Sequence, residues 1–182
     1  MNEHLSQAIP ETLWSFMRES CHVDQAAFRG VSPGKMPDRE RHLLVHSRDM
    51  TTTLATFHES SLRVEILQCR RMEEFYLREV FLRTHATHTI VEYGVIGIAL
   101  DQFTIEQREV IEEGQTPLGA LLHRFQIPFV SAPIQFVAIS AEALGATLLA
   151  APAGTTCYGR FNRLSKPTGE PLAWILEIIP PA

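Results

Sequence analysis

The stretch Phe75-Tyr76-Leu77-Arg78-Glu79-Val80-Phe81-Leu82 decides how this chain folds. It is rich in aromatic and aliphatic residues, and no Gly or Pro interrupts it, so it reads as a strand that extends over residues 75–84. Successive strand side chains point to opposite faces, which puts Tyr76, Arg78, Val80 and Leu82 on one face. Just before it, residues 61–70 alternate as well, with Leu62, Val64, Ile66, Gln68 and Arg70 in phase. Just after it, residues 87–100 read as a third strand. Three strands in succession, with no helical segment between them, form an antiparallel meander.

Outward from the meander the pattern changes period. Residues 39–58 read as helical in two pieces, because Ser47-Arg48-Asp49 is a break followed by a new N-cap. Downstream, Thr104 and Gln107 make a capping-box pattern, and Gly114 sits where a helix stop belongs. Thr116-Pro117-Leu118-Gly119 opens a second helix, with Thr at the cap and Pro at the first helical position. A strand over residues 132–139 and an Ala-rich connection lead to a closing hairpin. Its strands, 158–164 and 172–179, flank the turn Lys166-Pro167-Thr168-Gly169. Near the N-terminus, residues 12–17 form an amphipathic patch that suits a short docking helix, and residues 30–35 read as a loop. Strands joined by hairpins, with helices set apart from them, predict an α+β fold on an antiparallel sheet. The expected organisation is one domain over residues 1–182, made of an N-terminal arm (1–38) and a core (39–182).

The charge balance narrows the partners. Sixteen Lys and Arg against twenty-one Asp and Glu give a net charge of −5, with no basic run. Nucleic acid and anionic membrane surfaces are thereby poor partners, since both attractions begin with phosphate neutralisation. With 45% hydrophobic and 20% charged residues the composition is that of a globular protein. Cys21, Cys69 and Cys157 form no CxxC pair, which suits a reduced, cytoplasmic compartment. The first 20 residues lack the basic-then-apolar pattern of a signal peptide. Glu142, Gly145 and Pro152 break the apolar stretch 136–153, so it does not span a bilayer. A small molecule is the expected partner, taken up by a monomer or small homo-oligomer.

Several motifs carry no chemistry. Residues 30–36 are one short of a phosphate-binding loop and place Met36 where Ser or Thr must hold Mg²⁺. His85 and His88 fall at a predicted turn without further ligands, so no metal is expected. Neither a GxSxG nucleophile elbow nor a Gly-rich dinucleotide turn occurs. What remains is charge placed inside apolar strands: Arg78 in phase with Val80 and Leu82, Arg70 in phase with Val64 and Ile66, and Glu177 in phase with Ile175 and Ile179. Taken singly, each reads as an edge-strand gatekeeper or an internal ion pair. Three on one sheet point to a buried polar site. Two arginines suit a ligand bearing carboxylates, and a Glu desolvated among isoleucines has a raised pKa. The helix starts at Met50 and Leu118 add backbone N–H groups without intrahelical partners, which either meet an anion or are capped and solvated.

From about residue 43 to 181 the chain resembles chorismate pyruvate-lyase (4-hydroxybenzoate synthase). The resemblance is carried, in order, by Leu43-Leu44 leading to Asp49-Met50-Thr51, the strand ending at Arg70, Tyr76 to Leu82 as quoted, Thr116-Pro117-Leu118-Gly119, Tyr158-Gly159-Arg160-Phe161-Asn162-Arg163-Leu164, and Gly169-Glu170-Pro171-Leu172 running to Leu176-Glu177-Ile178-Ile179-Pro180. Residues 1–40 and 141–153 have no counterpart. The resemblance implies a six-stranded antiparallel sheet flanked by helices, enclosing its ligand away from solvent. It implies that Arg78 and Arg70 hold the ligand's carboxylates, that Glu177 meets the ring hydroxyl, and that the Met50 and Leu118 N–H groups contact a carboxylate. Arg70 is preferred to the adjacent Arg71 on strand phase alone.

That resemblance implies a lyase that eliminates pyruvate from chorismate to give 4-hydroxybenzoate, a ubiquinone precursor. Aromatisation drives the reaction, so no cofactor is required. Glu177 and Arg78 would be its catalytic residues, with Arg70, Arg78, Met50 and Leu118 binding substrate. Two alternatives stand beside it: a lyase giving a different hydroxybenzoate, and a non-catalytic carboxylate-binding module, since the same fold resembles the effector-binding domains of a bacterial repressor family.

Overall fold

A computed structural model describes residues 8–145, 151–152 and 154–181. Helix α1 (Glu11–Glu19) is followed by a two-residue strand, β1 (Arg29–Gly30), and helices α2 (Asp38–Leu44) and α3 (Met50–Phe57). The meander is β2 (Leu62–Met72), β3 (Phe75–Thr84) and β4 (Ile90–Ala99). Helices α4 (Ile105–Glu113) and α5 (Leu118–Arg124) precede β5 (Val130–Ser140), β6 (Thr156–Ser165) and β7 (Pro171–Ile179). All strand pairs are antiparallel, in the order β1-β5-β6-β7-β4-β3-β2. The sheet thus has seven strands rather than the expected six. The addition is β1, where Arg29 and Gly30 pair with Ala138 and Val137 in a stretch expected to be loop.

Local signals account for the helix ends. The Asp49 carboxylate accepts from the Thr52 N–H at 2.8 Å, which starts α3 after the break at 47–49. Thr104 and Gln107 form the capping box of α4, and Gly114 ends that helix in the left-handed region (φ 70°). At α5 the expectation is off by one residue. Pro117 is extended (ψ 142°) and occupies the cap position itself, so the helix begins at Leu118. Part of the Ala-rich connection, residues 146–150 and 153, lies outside the described residues.

The sheet buries both faces. On one, α1 presses Leu13, Trp14, Phe16 and Met17 onto Leu77, Phe81, Tyr93, Phe161, Leu176 and Ile178. The segment expected to be an arm is therefore one wall of the core. On the other face two apolar clusters sit apart. One gathers Tyr76, Ile96 and Ile98 with Ile111 of α4 and Leu121 and Leu122 of α5. The second gathers Leu82, Val91 and Ile179 with Leu43 and Leu44 of α2 and Leu54 of α3. Between these clusters the strands carry charge, and there a cavity opens.

Strand β2 contains an irregularity that matters for function. Val64 pairs with Leu82 and Ile66 with Val80, but the next pair is Gln68 with Glu79, which leaves Leu67 as an extra residue. One bulged residue reverses the facing of everything beyond it. Arg70 then pairs with Leu77, on the α1 side, and Arg71 pairs with Tyr76 on the cavity side.

Candidate functional site

The cavity lies between β3, β4 and β7 on one side and the starts of α3 and α5 on the other. Its walls include Met50, Arg78, Leu118 and Glu177, four of the five residues singled out from the sequence. Regular strand alternation carries Arg78 inward beside Val80 and Leu82, and Glu177 inward beside Ile175.

Arg70 is not among them. The bulge at Leu67 turns it to the α1 face, where it is half-exposed and lies 3.3 Å from Glu19. Alternation counted across residues 62–70 fails because one residue does not take part in pairing. Arg71 is on the correct face, but it is solvent-exposed and engages Glu112 at 3.1 Å. Neither completes a two-arginine clamp.

Arg78 is only 2% exposed. Its Nη2 donates weakly to the Thr116 carbonyl at 3.5 Å, while Nε and Nη1 have no hydrogen-bond partner among the described residues. Burial pulls its pKa down to about 10, so it remains a cation at neutral pH. A buried cation with free donors is costly unless an anion meets it.

Glu177 is held by a residue that the strand-charge argument missed. Arg160, fully buried in β6, stands opposite Glu177 in register, and its Nε donates to Glu177 Oε2. Arg160 Nη1 also donates to the Leu44 and His46 carbonyls at 2.9 and 2.8 Å, and Nη2 to the Arg48 carbonyl at 3.3 Å. Every nitrogen of this guanidinium is engaged. It ties the sheet to the α2–α3 connection and orients Glu177. Burial raises the Glu177 pKa and outweighs the opposing pull of Arg160.

The second missed residue is Glu92, in β4 and 4% exposed. Its Oε2 has no hydrogen-bond partner among the described residues. Burial, and then the neighbouring Glu177, hold its pKa well above the ordinary carboxylate range. Both residues carried the signal that found the other three, a lone charge in an apolar strand: Val91-Glu92-Tyr93 and Gly159-Arg160-Phe161.

Asp49 closes the site from the α3 side. Its carboxylate lies against α5, with Oδ1 3.1 Å from where a Cβ on Gly119 would sit. A side chain at this position would make the Asp49 and Thr51 side chains give way by a few tenths of an ångström. The described cavity wall therefore presents one uncommitted cation, one committed ion pair and two further carboxyl groups. Such a set can grip a carboxylate and exchange a hydrogen bond or a proton at a second point.

The architecture is the chorismate lyase-like α+β fold, with a charged cavity between the sheet and its helices. Solved structures share it. The chain is similar to PhnF from Mycobacterium smegmatis (14% identity, TM-score 0.55), aligning over 75% of its own length and 65% of PhnF. It thus spans about two thirds of that protein. It is also similar to the effector domain of PhnF (14%, TM-score 0.55, covering 72% of this chain and 88% of that one). A possible transcriptional regulator, YydK from Bacillus subtilis, aligns at 9% identity and TM-score 0.50, covering 96% of this chain and 80% of YydK. No protein-family model and no curated protein matches the chain. Among the described residues no helix is long and apolar enough to cross a membrane.

Proposed function

We propose that this protein is a small-molecule binding module that encloses a carboxylate-bearing ligand in the cavity below β3, β4 and β7. The observation that carries this reading is Arg78: a desolvated guanidinium with two nitrogens free of partners among the described residues, in the wall of the cavity between the sheet and the starts of α3 and α5. The Met50 N–H, at the start of α3 and in the same wall, adds a donor for the same anion. That one of the similar structures is an effector domain supports the reading.

Calorimetric titration with 4-hydroxybenzoate tests it. Binding is expected in the parent, and Arg78→Ala should weaken it by about 2–5 kcal/mol, the cost of removing one partner of a desolvated charge pair. Arg70→Ala, on the opposite face, should leave affinity within about twofold, since an exposed pair contributes little. Equal affinity of the parent and Arg78→Ala would sink the assignment.

A second reading is catalytic. Glu177 lies in the same wall, and burial raises its pKa, the direction that suits a group exchanging a proton. On this reading the protein is a chorismate pyruvate-lyase, with Arg78 stabilising the departing enolpyruvate and Glu177 serving the ring. It needs no cofactor, because aromatisation supplies the drive. Incubation with chorismate, with both products identified by mass, separates the readings. Stoichiometric pyruvate and hydroxybenzoate would establish the lyase, and unchanged chorismate would leave binding alone.

A further inference from the structure

We propose that Cys69 is a modification site: hydroperoxides oxidise its thiol to a sulfenate, and Arg78, its partner across the sheet, stabilises the negative charge that develops. The effect on the cavity rests on the carboxylate-binding reading above, because the ligand and the oxidised sulfur draw on the same cation.

Register brings the two residues together. Cys69 of β2 stands directly opposite Arg78 of β3, beyond the bulge at Leu67. Direct partners in an antiparallel pair share a face, with Cβ atoms about 5 Å apart. Cys69 therefore takes the cavity side of the sheet with Arg78, while the position of β2 at the sheet edge leaves it exposed. Tyr76, two residues before Arg78 on that face of β3, shares a hydrogen bond with the thiol through its hydroxyl. Negative charge at Cys69 favours the Arg78 cation, the same attraction seen from the arginine. Arg78 supplies what a lone thiol lacks: a buried cation whose Nε and Nη1 have no hydrogen-bond partner among the described residues.

The other two cysteines have a different setting. Cys21 and Cys157 lie in the core on the α1 side, where burial pushes both thiols up, Cys157 to about 11. Such thiols are poor nucleophiles. They also stand on the opposite face from Cys69, so neither is placed to convert its sulfenate into a disulfide within the chain.

In the reaction the Cys69 thiolate attacks one oxygen of a hydroperoxide. The S–O bond forms as the O–O bond breaks, sulfur gives up two electrons, and the second oxygen leaves as hydroxide or alkoxide. That leaving group takes the proton the thiol released and becomes water or an alcohol. Negative charge develops on the leaving oxygen and remains on the sulfenate, and a fixed cation with free donors lowers the cost of both. A carboxylate bound at Arg78 neutralises that cation, so ligand binding and oxidation oppose one another.

The test treats the full chain with hydrogen peroxide at neutral pH, traps sulfenate with dimedone, and locates and times the adduct by peptide mass spectrometry. Cys69 should react at least about tenfold faster than N-acetylcysteine, and Arg78→Gln should remove about tenfold, a modest share of what one donor to a developing oxyanion contributes in a shielded site. Saturating 4-hydroxybenzoate should slow the parent by a similar factor. Oxidation of Cys69 no faster than the free thiol would overturn the proposal, and that comparison needs no variant to fold. An Arg78→Gln protein oxidised as fast as the parent would overturn it too, by removing the arginine from the step. If calorimetry shows 4-hydroxybenzoate bound and Cys69 is still oxidised at the unprotected rate, the antagonism is wrong. If the parent binds no 4-hydroxybenzoate, it is the carboxylate reading that fails, and the comparison with the free thiol still decides the role of Cys69.

Discussion

Three carboxyl groups and two guanidinium groups meet below the sheet, and burial decides what each can do. Arg160 and Glu177 neutralise one another, so each tolerates complete desolvation only because the other is present. Glu92 Oε2 has no such partner among the described residues, and burial holds its pKa well above the ordinary carboxylate range. This has a consequence for stability. The folded state holds the Glu92 proton more tightly than the unfolded chain, because its pKa is raised on folding. The stability it contributes is therefore fully present below the ordinary carboxylate pKa and is lost as pH rises through the folded value. Glu177 shifts in the same direction and adds to the trend. The urea midpoint of the parent should fall from about pH 5 upward, and the fall should be shallower in Glu92→Gln. An equally steep fall in the variant would assign the titration to another group. The opposite fates of Arg70 and Arg78 make the same point: one is half-exposed beside Glu19, while the other is sealed into the cavity wall.

At the scale of elements, strand packing sets these positions. Gly159 precedes Arg160 in β6 and faces the backbone of β7. A Cβ there would sit 2.3 Å from the Glu177 carbonyl oxygen and 2.4 Å from Ile178 Cδ1. The first contact is with backbone in a paired strand, which has no rotamer to change. Gly159→Ala should therefore force β6 and β7 apart, lower stability by about 1–3 kcal/mol as overpacking does, and loosen the Arg160–Glu177 pair. Urea denaturation and titration with 4-hydroxybenzoate would read the two effects. A variant with unchanged midpoint and affinity would show that β7 yields freely. The bulge in β2 works in the other direction, through an added residue. Leu67 packs toward the α1-side core, and Gln68 then turns to that side too, donating to Glu79 Oε2 at 2.6 Å and to the Ser20 carbonyl at 2.7 Å. Glu79 in turn accepts from Tyr93 Oη at 2.7 Å. The bulge thus delivers β2 to a polar tie under α1 and takes Arg70 away from the cavity.

At the scale of the whole molecule, the sheet separates two tasks. One face is closed by α1 and gives stability; the other is propped open by α2, α3 and α5 and gives the site. Trp14 belongs to the first face, 3% exposed, with its ring 5.2 Å from that of Phe161. Trp14→Ala should cost about 3–5 kcal/mol by thermal or urea unfolding, yet leave 4-hydroxybenzoate affinity unchanged at temperatures where the variant is folded. Lost affinity in the folded variant would show that the faces are coupled. Much of this plan was legible in the order of residues. Strand alternation in 75–84, the break at 47–49, the capping box at Thr104 and the turn at Gly169 are local matters, decided by side-chain periodicity and backbone preference within a few residues. So was the inward placement of Arg78 and Glu177, because their strands pair without a bulge at those positions. The facing of Arg70 was not, since the bulge arises from how β2 meets β3 and α1 across the sheet. The α1 helix likewise read as part of an arm until the face it covers was in view. Nor did the strand pattern show that Arg160 stands opposite Glu177. That depends on register between residues 17 apart in the chain, and register is a property of packing: it places charges side by side that no local pattern of residues relates.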